Sequence, residues 1–122
     1  LYDIDIRLRP SGKDGPIAVS LEGFAKYYQN SAWLWEDLAL TRARVITGST
    51  TMKTRIEDMI RAVITRPRDP TDTAREVLDM RAKIAEEYGN HVPLNIKYAR
   101  GGLIDVEFLA EYQQICFSHR FP

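Results

Sequence analysis

A charged row in the first nine residues is the strongest candidate for chemistry in this sequence. Acidic and basic side chains occupy alternate positions, namely Asp3, Asp5, Arg7 and Arg9. The positions between them are apolar: Tyr2, Ile4, Ile6 and Leu8. This alternation predicts a β-strand that presents the charged side chains on one face, roughly 6.6 Å apart. Carboxylates bind Mg²⁺ and guanidinium groups neutralise phosphate, so the row suits metal-dependent nucleotidyl or phosphoryl transfer.

The same row also has a purely structural explanation. Charged side chains commonly protect the exposed edge of a sheet, where they are solvated or paired locally. In that case Arg7 and Arg9 would pair with acids of the following helices, such as Glu36. Spacing alone leaves both interpretations open.

A second candidate is the stretch from Lys97 to Phe108, in which Gly101-Gly102 precedes a predicted helix. Glycines let the backbone approach a ligand, and the first N–H groups of a helix attract anions. Lys97 would add positive charge there. However, Asp105 lies in the first turn, where an acid suits the helix dipole without any ligand. A simple helix start therefore remains the structural alternative.

Two tryptophans, Trp33 and Trp35, form a third candidate because they point to different sides of a helix. One of them could stack on a base or an arginine. Alternatively, Trp35 belongs to the core and Trp33 to a domain contact that is exposed in this chain.

The remaining pattern predicts a mainly α-helical fold with a small β element. Pro10 ends the first strand, and short strands are also possible at 17–19 and 94–98. The predicted helices are a helix capped by Ser20, a longer one from Ser31 through Val45, one from Met52 to Val63, one from about Thr73 to Tyr88, and one after Gly102.

Composition limits the classes of function. Lys plus Arg equals Asp plus Glu at 17 each, so the total charge indicates neither a nucleic-acid nor a membrane partner. A nucleic-acid binder that uses Arg42, Arg44, Arg66 and Arg68 is a weaker alternative, since these residues form no basic stripe. The single cysteine, Cys116, excludes an internal disulfide and is predicted to be buried. Without a membrane-spanning run or a signal-peptide pattern, we expect a cytoplasmic protein.

Several motifs together resemble the glutamine synthetase adenylyltransferases. The residues from Leu1 to Gly12 are similar to a stretch that usually reads LYxxDxRLRPSG in this family. Similar motifs follow in the family's order at 32–36, 39–44 and 101–108. The uridylyltransferase that modifies the PII protein is a more distant match. The resemblance covers nearly the whole chain.

The resemblance implies a bacterial enzyme that transfers AMP from ATP to a tyrosine of glutamine synthetase and thereby regulates nitrogen assimilation. A second, similar domain removes the AMP, and PII and glutamine bias the two reactions. The implied fold is the end of a nucleotidyltransferase domain (1–19, a strand or hairpin) followed by a helical domain (20–122). The residues at 10–12 and 33–36 resemble the C-terminal half of these enzymes, which transfers AMP, more than the half that removes it. The adenylyl-removing half and a non-catalytic helical interaction module are the alternatives.

The resemblance also implies site residues. Asp5 matches the third metal-binding carboxylate of the family, so it is the predicted catalytic residue and Mg²⁺ ligand. Asp3 stands where the family often has Glu. The first two carboxylates belong to a Gly-Ser…Asp-x-Asp motif that these 122 residues lack, so we expect this chain to be an inactive fragment on its own. The remaining predicted contacts to ATP or its phosphates are Arg7, Arg9, Lys97, Gly101 and Gly102.

Overall fold

The computed structural model describes residues 5–6, 8–88 and 95–120. Its helices are α1 (Leu21–Asn30), α2 (Leu34–Leu40), α3 (Thr50–Ile64), α4 (Pro70–Tyr88) and α5 (Leu103–Phe117), with short 3₁₀ helices at Gly12–Asp14 and Ser118–Arg120. The mainly helical class is thus confirmed. Within the described ranges no helix has both the length and the apolar character needed to cross a membrane.

The predicted β element does not appear in the described part of the chain. Residues 1–4 and 7 of the first predicted strand lie outside it, and residues 5, 6 and 8 are not in a strand. The possible strand at 17–19 is wrong, because this stretch bends and Ile17 is 74% exposed. Residues 95–98 form a turn, so the strand predicted at 94–98 is also wrong where it is described. There the N–H groups of Tyr98 and Ala99 donate to the carbonyl of Asn95, so they do not pair with a neighbouring strand.

Serine side chains begin two of the helices. Ser20 Oγ accepts a hydrogen bond from the Gly23 N–H at 3.0 Å, as predicted. Ser49 Oγ accepts one from the Met52 N–H at 3.3 Å and begins α3. Each interaction satisfies an N–H group that has no partner within the helix.

The second helix is shorter than predicted and begins later. The Trp33 N–H donates to Glu36 Oε2 at 2.9 Å, so a side chain within the helix, rather than Ser31, fixes its start. At the other end, the N–H groups of Thr41, Arg42 and Ala43 bond to carbonyls three residues back. These tight turns end α2 at Leu40, well before Val45.

Helix α4 begins three residues earlier than predicted because Asp69 provides a cap. Its carboxylate accepts a hydrogen bond from the Asp72 N–H at 2.9 Å. Pro70 then occupies the first helical position, where its missing N–H and fixed φ are well tolerated.

Helix α2 contributes to two hydrophobic clusters. Leu38 packs with Val77, Ile115 and Cys116 from α4 and α5. Leu40 lies in a second cluster, whose other buried members are Tyr28 from α1 and Val63 from α3. Cys116 is fully buried, as predicted, and burial raises the pKa of its thiol. The shortest of the five helices therefore joins both halves of the bundle.

A buried carboxylate reinforces this junction. Asp37 is 3% exposed, and its Oδ2 lies 2.6 Å from Arg66 Nη2 and 2.8 Å from Arg68 Nη2. Arg66 also donates to the Tyr28 carbonyl at 3.2 Å, and Arg68 to the Val63 carbonyl at 3.0 Å. Asp37 thus holds the connector between α3 and α4 to α2, while the two carbonyls hold it to α1 and α3. We call Asp37, Arg66 and Arg68 the buried clamp.

Candidate functional site

The segment before α1 carries the predicted metal ligand. Asp5 is exposed and does not lie within the helical core. Arg7 lies outside the described residues. Leu8, three residues after Asp5, is 61% exposed and lines a cleft against the helices. The role of Asp5 as a metal ligand stays a prediction.

Arg9 binds backbone carbonyls of its own loop. Its guanidinium donates to the carbonyls of Ile6, Lys13 and Gly15, the last at 3.3 Å. These bonds close the loop that follows the predicted strand, within which Ser11 has a left-handed φ of 62°. Arg9 therefore has a structural function, while its contact to a nucleotide phosphate stays a prediction.

A cleft of about 440 Å³ separates the N-terminal segment from α2, α4 and α5. Its apolar wall includes Leu8 and Trp35, and its charged residues are Arg42, Lys83, Glu107 and Glu111. Trp35 is 44% exposed, so its assignment to the core is wrong, whereas Trp33 is exposed at 71%, as the same interpretation predicted. Cations, acids and an aromatic ring thus meet on the side of the bundle that faces Leu8.

Glu111 is the buried acid of this cleft. It is 5% exposed, and its Oε1 lies 2.9 Å from Arg42 Nε without the alignment of a hydrogen bond. Burial raises the pKa of the Glu111 carboxyl, Arg42 opposes this rise, and Glu107 adds to it. The loss of solvation therefore affects the pKa of Glu111 more than the ion pair with Arg42 does.

This balance predicts a pH dependence of stability. The folded state binds the Glu111 proton more tightly than the unfolded state does, so the stabilisation is complete below the ordinary pKa of 4.5 and is lost as the pH rises through the folded pKa. We expect Glu111→Gln to increase the free energy of unfolding at pH 7 and to leave it nearly unchanged at pH 4. Urea denaturation at both pH values tests this. A variant that is less stable than the parent at pH 7 would show that the ion pair dominates.

The second candidate region is a turn at residues 95–102 that is fixed to α4 and α5. The Gly101 N–H donates to Asp105 Oδ2 at 2.6 Å, while Asp105 Oδ1 pairs with Arg81 of α4. Arg81 also donates to the Tyr98 carbonyl at 3.0 Å. The Arg81 hydrogen bond is the main reason that the pKa of Asp105 is lowered. Asp105 thus holds the glycine turn, in line with the structural alternative.

The backbone donors at the start of α5 bind carbonyls of the same turn. The N–H groups of Gly102, Leu103 and Ile104 donate to Ala99, Ile96 and Lys97 at 2.8, 2.9 and 3.2 Å. A ligand would have to displace these bonds to use the same donors. The turn would therefore have to rearrange before the two glycines could make the predicted contact with a nucleotide.

Steric contacts explain why glycine is required at one of these positions. A Cβ at residue 102 would lie 2.4 Å from the Ile96 carbonyl oxygen and 2.8 Å from that of Ala99. At residue 101, with φ of 77°, a Cβ would meet nothing within 4 Å. We expect Gly102→Ala to destabilise the fold by about 3 kcal/mol, at the upper end for overpacking. Gly101→Ala should cost about 1–2 kcal/mol from its left-handed conformation.

Denaturation of both variants tests this order. Equal stabilities would contradict the steric account of Gly102, because the two substitutions add the same methyl group.

Lys97 lies beside this turn on an aromatic surface. Its Nζ is 5.1 Å from the centre of the Tyr98 ring, and that ring stacks on Tyr88 of α4 at 4.6 Å. The side chain is exposed, so Lys97 is accessible. Arg9 and Lys97 bind separate parts of the chain, and their joint contact with one nucleotide stays a prediction.

No group of three or more acidic, histidine or cysteine side chains in 5–6, 8–88 and 95–120 could hold a metal ion. Asp5 as a Mg²⁺ ligand therefore stays a prediction, in which groups beyond the described residues would complete the coordination shell.

Comparisons with known proteins show which family the chain resembles. Residues 1–59 match the family model described as glutamate-ammonia ligase adenylyltransferase. Over all 122 residues the chain is 51% identical to a bifunctional glutamine synthetase adenylyltransferase/adenylyl-removing enzyme of Rhodopseudomonas palustris (strain TIE-1). Enzymes of the same name from Bradyrhizobium diazoefficiens and Xanthobacter autotrophicus are each 52% identical over the same length. Over its whole length the chain is similar to members of this family. It covers 12% of the length of each of these adenylyltransferases.

The buried polar residues of this chain were not predicted from its sequence. Glu36 is 2% exposed and accepts hydrogen bonds from the Tyr27 hydroxyl at 2.8 and 3.0 Å. Asp37 and its two arginines also escaped notice as a unit, since 29 and 31 residues separate the partners. The one available signal was a pair of adjacent acids between leucines in an otherwise apolar helix. Because Arg42, Arg66 and Arg68 bind acids of the chain, the structure does not favour the nucleic-acid alternative.

Proposed function

We propose that this chain is part of an enzyme that transfers AMP from ATP to a tyrosine of glutamine synthetase. The observation that carries the proposal is identity of about one residue in two, across the whole chain, to enzymes named for this activity. The N-terminal motif supports it, because Asp5 is exposed and a charged cleft lies beside the same segment.

In this proposal Asp5 provides one carboxylate ligand to Mg²⁺, and residues elsewhere in the longer protein provide the others. The metal, when bound, neutralises negative charge on the triphosphate of ATP. A tyrosine hydroxyl has an ordinary pKa of about 10, so it needs help to lose its proton at neutral pH. Asp5 could polarise that hydroxyl as well. Arg7, Arg9 and Lys97 would neutralise phosphate charge, and the turn at Gly101-Gly102 would approach the nucleotide.

We also propose the more specific features that the resemblance implies. The segment belongs to the adenylylating half rather than the adenylyl-removing half, and the enzyme is cytoplasmic. Glutamine synthetase is its protein substrate, and PII is its regulatory partner. The residues at 10–12 and 33–36 support the assignment to the adenylylating half.

One experiment separates the two halves and the non-catalytic alternative. The full-length enzyme is incubated with glutamine synthetase, Mg²⁺ and ATP labelled at the α-phosphate, and the removal of AMP from modified glutamine synthetase is measured in parallel. We expect Asp5→Asn to lower label transfer to tyrosine by at least about 100-fold while removal continues. Loss of removal alone would assign the chain to the other half. Unchanged rates of both reactions would favour an interaction module.

A further inference from the structure

The outer face of helix α5 is apolar although it lies at the surface. Helix α5 places Ile115 and Cys116 in the core, fully buried. On its outer side, Leu103, Val106 and Leu109 are exposed at 57, 61 and 60%. A helix that is apolar around most of its circumference is typical of a buried position. Part of the α5 surface is therefore expected to be covered.

The exposed face continues into a groove between α4 and α5. The groove has a volume of about 390 Å³, and its exposed rims are Leu78 of α4 and Leu109 of α5. Phe108 and Tyr112 form part of its floor, and the paired side chains of Arg81 and Asp105 also line it. Because these two charges neutralise each other, the groove offers mainly apolar contact. We call this surface the α4/α5 groove.

We propose that the α4/α5 groove is a docking site for an apolar helix from the remainder of the same polypeptide. The relatives are about eight times as long as this chain, since it covers 12% of their length, so such a helix is available within one molecule. A groove between two packed helices accepts the side-chain ridge of a third helix. Its partner would present leucine, isoleucine or valine side chains at helical spacing.

The size of the surface favours an intramolecular partner over a second copy. Stable interfaces between separate proteins involve roughly 20–30 residues on each side. The apolar surface here consists chiefly of four exposed side chains: Leu78, Leu103, Val106 and Leu109. A covalently linked segment needs far less contact area, because the linker gives it an effective concentration of about the millimolar range.

Thiol labelling of the full-length protein tests the proposal. Leu78→Cys and Leu109→Cys place thiols in the groove, while Glu76→Cys places one at an exposed position elsewhere on α4. Mass spectrometry of the labelled peptides reports each site separately, and circular dichroism confirms folding. We expect both groove thiols to react at least about tenfold more slowly than the control, because they are protected until the docked helix opens locally.

Two results would overturn the inference. Equal reaction rates at all three positions would show that the groove is open in the full-length protein. Protection that disappears on dilution would show that a second copy, rather than the same polypeptide, covers it. The measurement does not depend on catalysis, so it can fail or succeed independently of the proposed adenylyl transfer.

Discussion

Replacing Asp37 by Ala is expected to destabilise the helical bundle by about 3–5 kcal/mol, the usual cost of removing one partner from a buried ion pair. The substitution leaves two arginines without their common carboxylate, and the Arg68 side chain is only 10% exposed. Arg68 cannot reach water without leaving its carbonyl contacts to Val63 and Ile115. Urea denaturation followed by circular dichroism measures the loss.

The chain offers a matched control for this prediction. Asp72 and Arg75 form a pair with the same separation, 2.8 Å, as Asp37 and Arg68, but their side chains are 68 and 67% exposed. Asp72→Ala should therefore change the stability by less than about 1 kcal/mol. If both substitutions had the same small effect, the buried clamp would not hold the bundle together.

The helices were predictable because their signals are local. Ser20 is followed by an amphipathic run, and apolar side chains recur at helical spacing between about Thr73 and Tyr88, so these local patterns placed α1 and most of α4 correctly. Their exact starts were harder to predict. Glu36 and Asp69 cap α2 and α4 with carboxylates, which are equally common on a solvated helix surface. Charge pattern alone does not reveal which acids turn back to the backbone.

The small strands and the candidate site depended on contacts that no local pattern contains. The sequence allows a strand at 94–98, but the Asn95 carbonyl accepts hydrogen bonds from within the same stretch, which forms a turn instead. The glycine pair was recognised as a helix start, yet the partner that fixes it, Arg81, lies 24 residues from Asp105. Arg9 shows the same limitation, since its bonds to loop carbonyls follow from backbone geometry rather than from residue type.

Replacing Asp5 by Asn in the full-length enzyme is expected to lower the rate of adenylyl transfer by about 100- to 1,000-fold. Charge stabilisation by a bound metal ion provides several kcal/mol to such a reaction, and each 1.36 kcal/mol corresponds to a factor of ten in rate. Asparagine keeps the size of the side chain but removes the negative charge that Mg²⁺ prefers.

Asp14 provides the comparison for this measurement, since it is an exposed acid in the following 3₁₀ helix. The rate of label transfer from ATP to glutamine synthetase is measured for Asp5→Asn and Asp14→Asn at equal enzyme concentration, with circular dichroism to confirm folding. We expect a loss of at least about 100-fold for Asp5→Asn and nearly full activity for Asp14→Asn. Equal activity of the two folded variants would contradict the assignment of Asp5 to the adenylyl-transfer site.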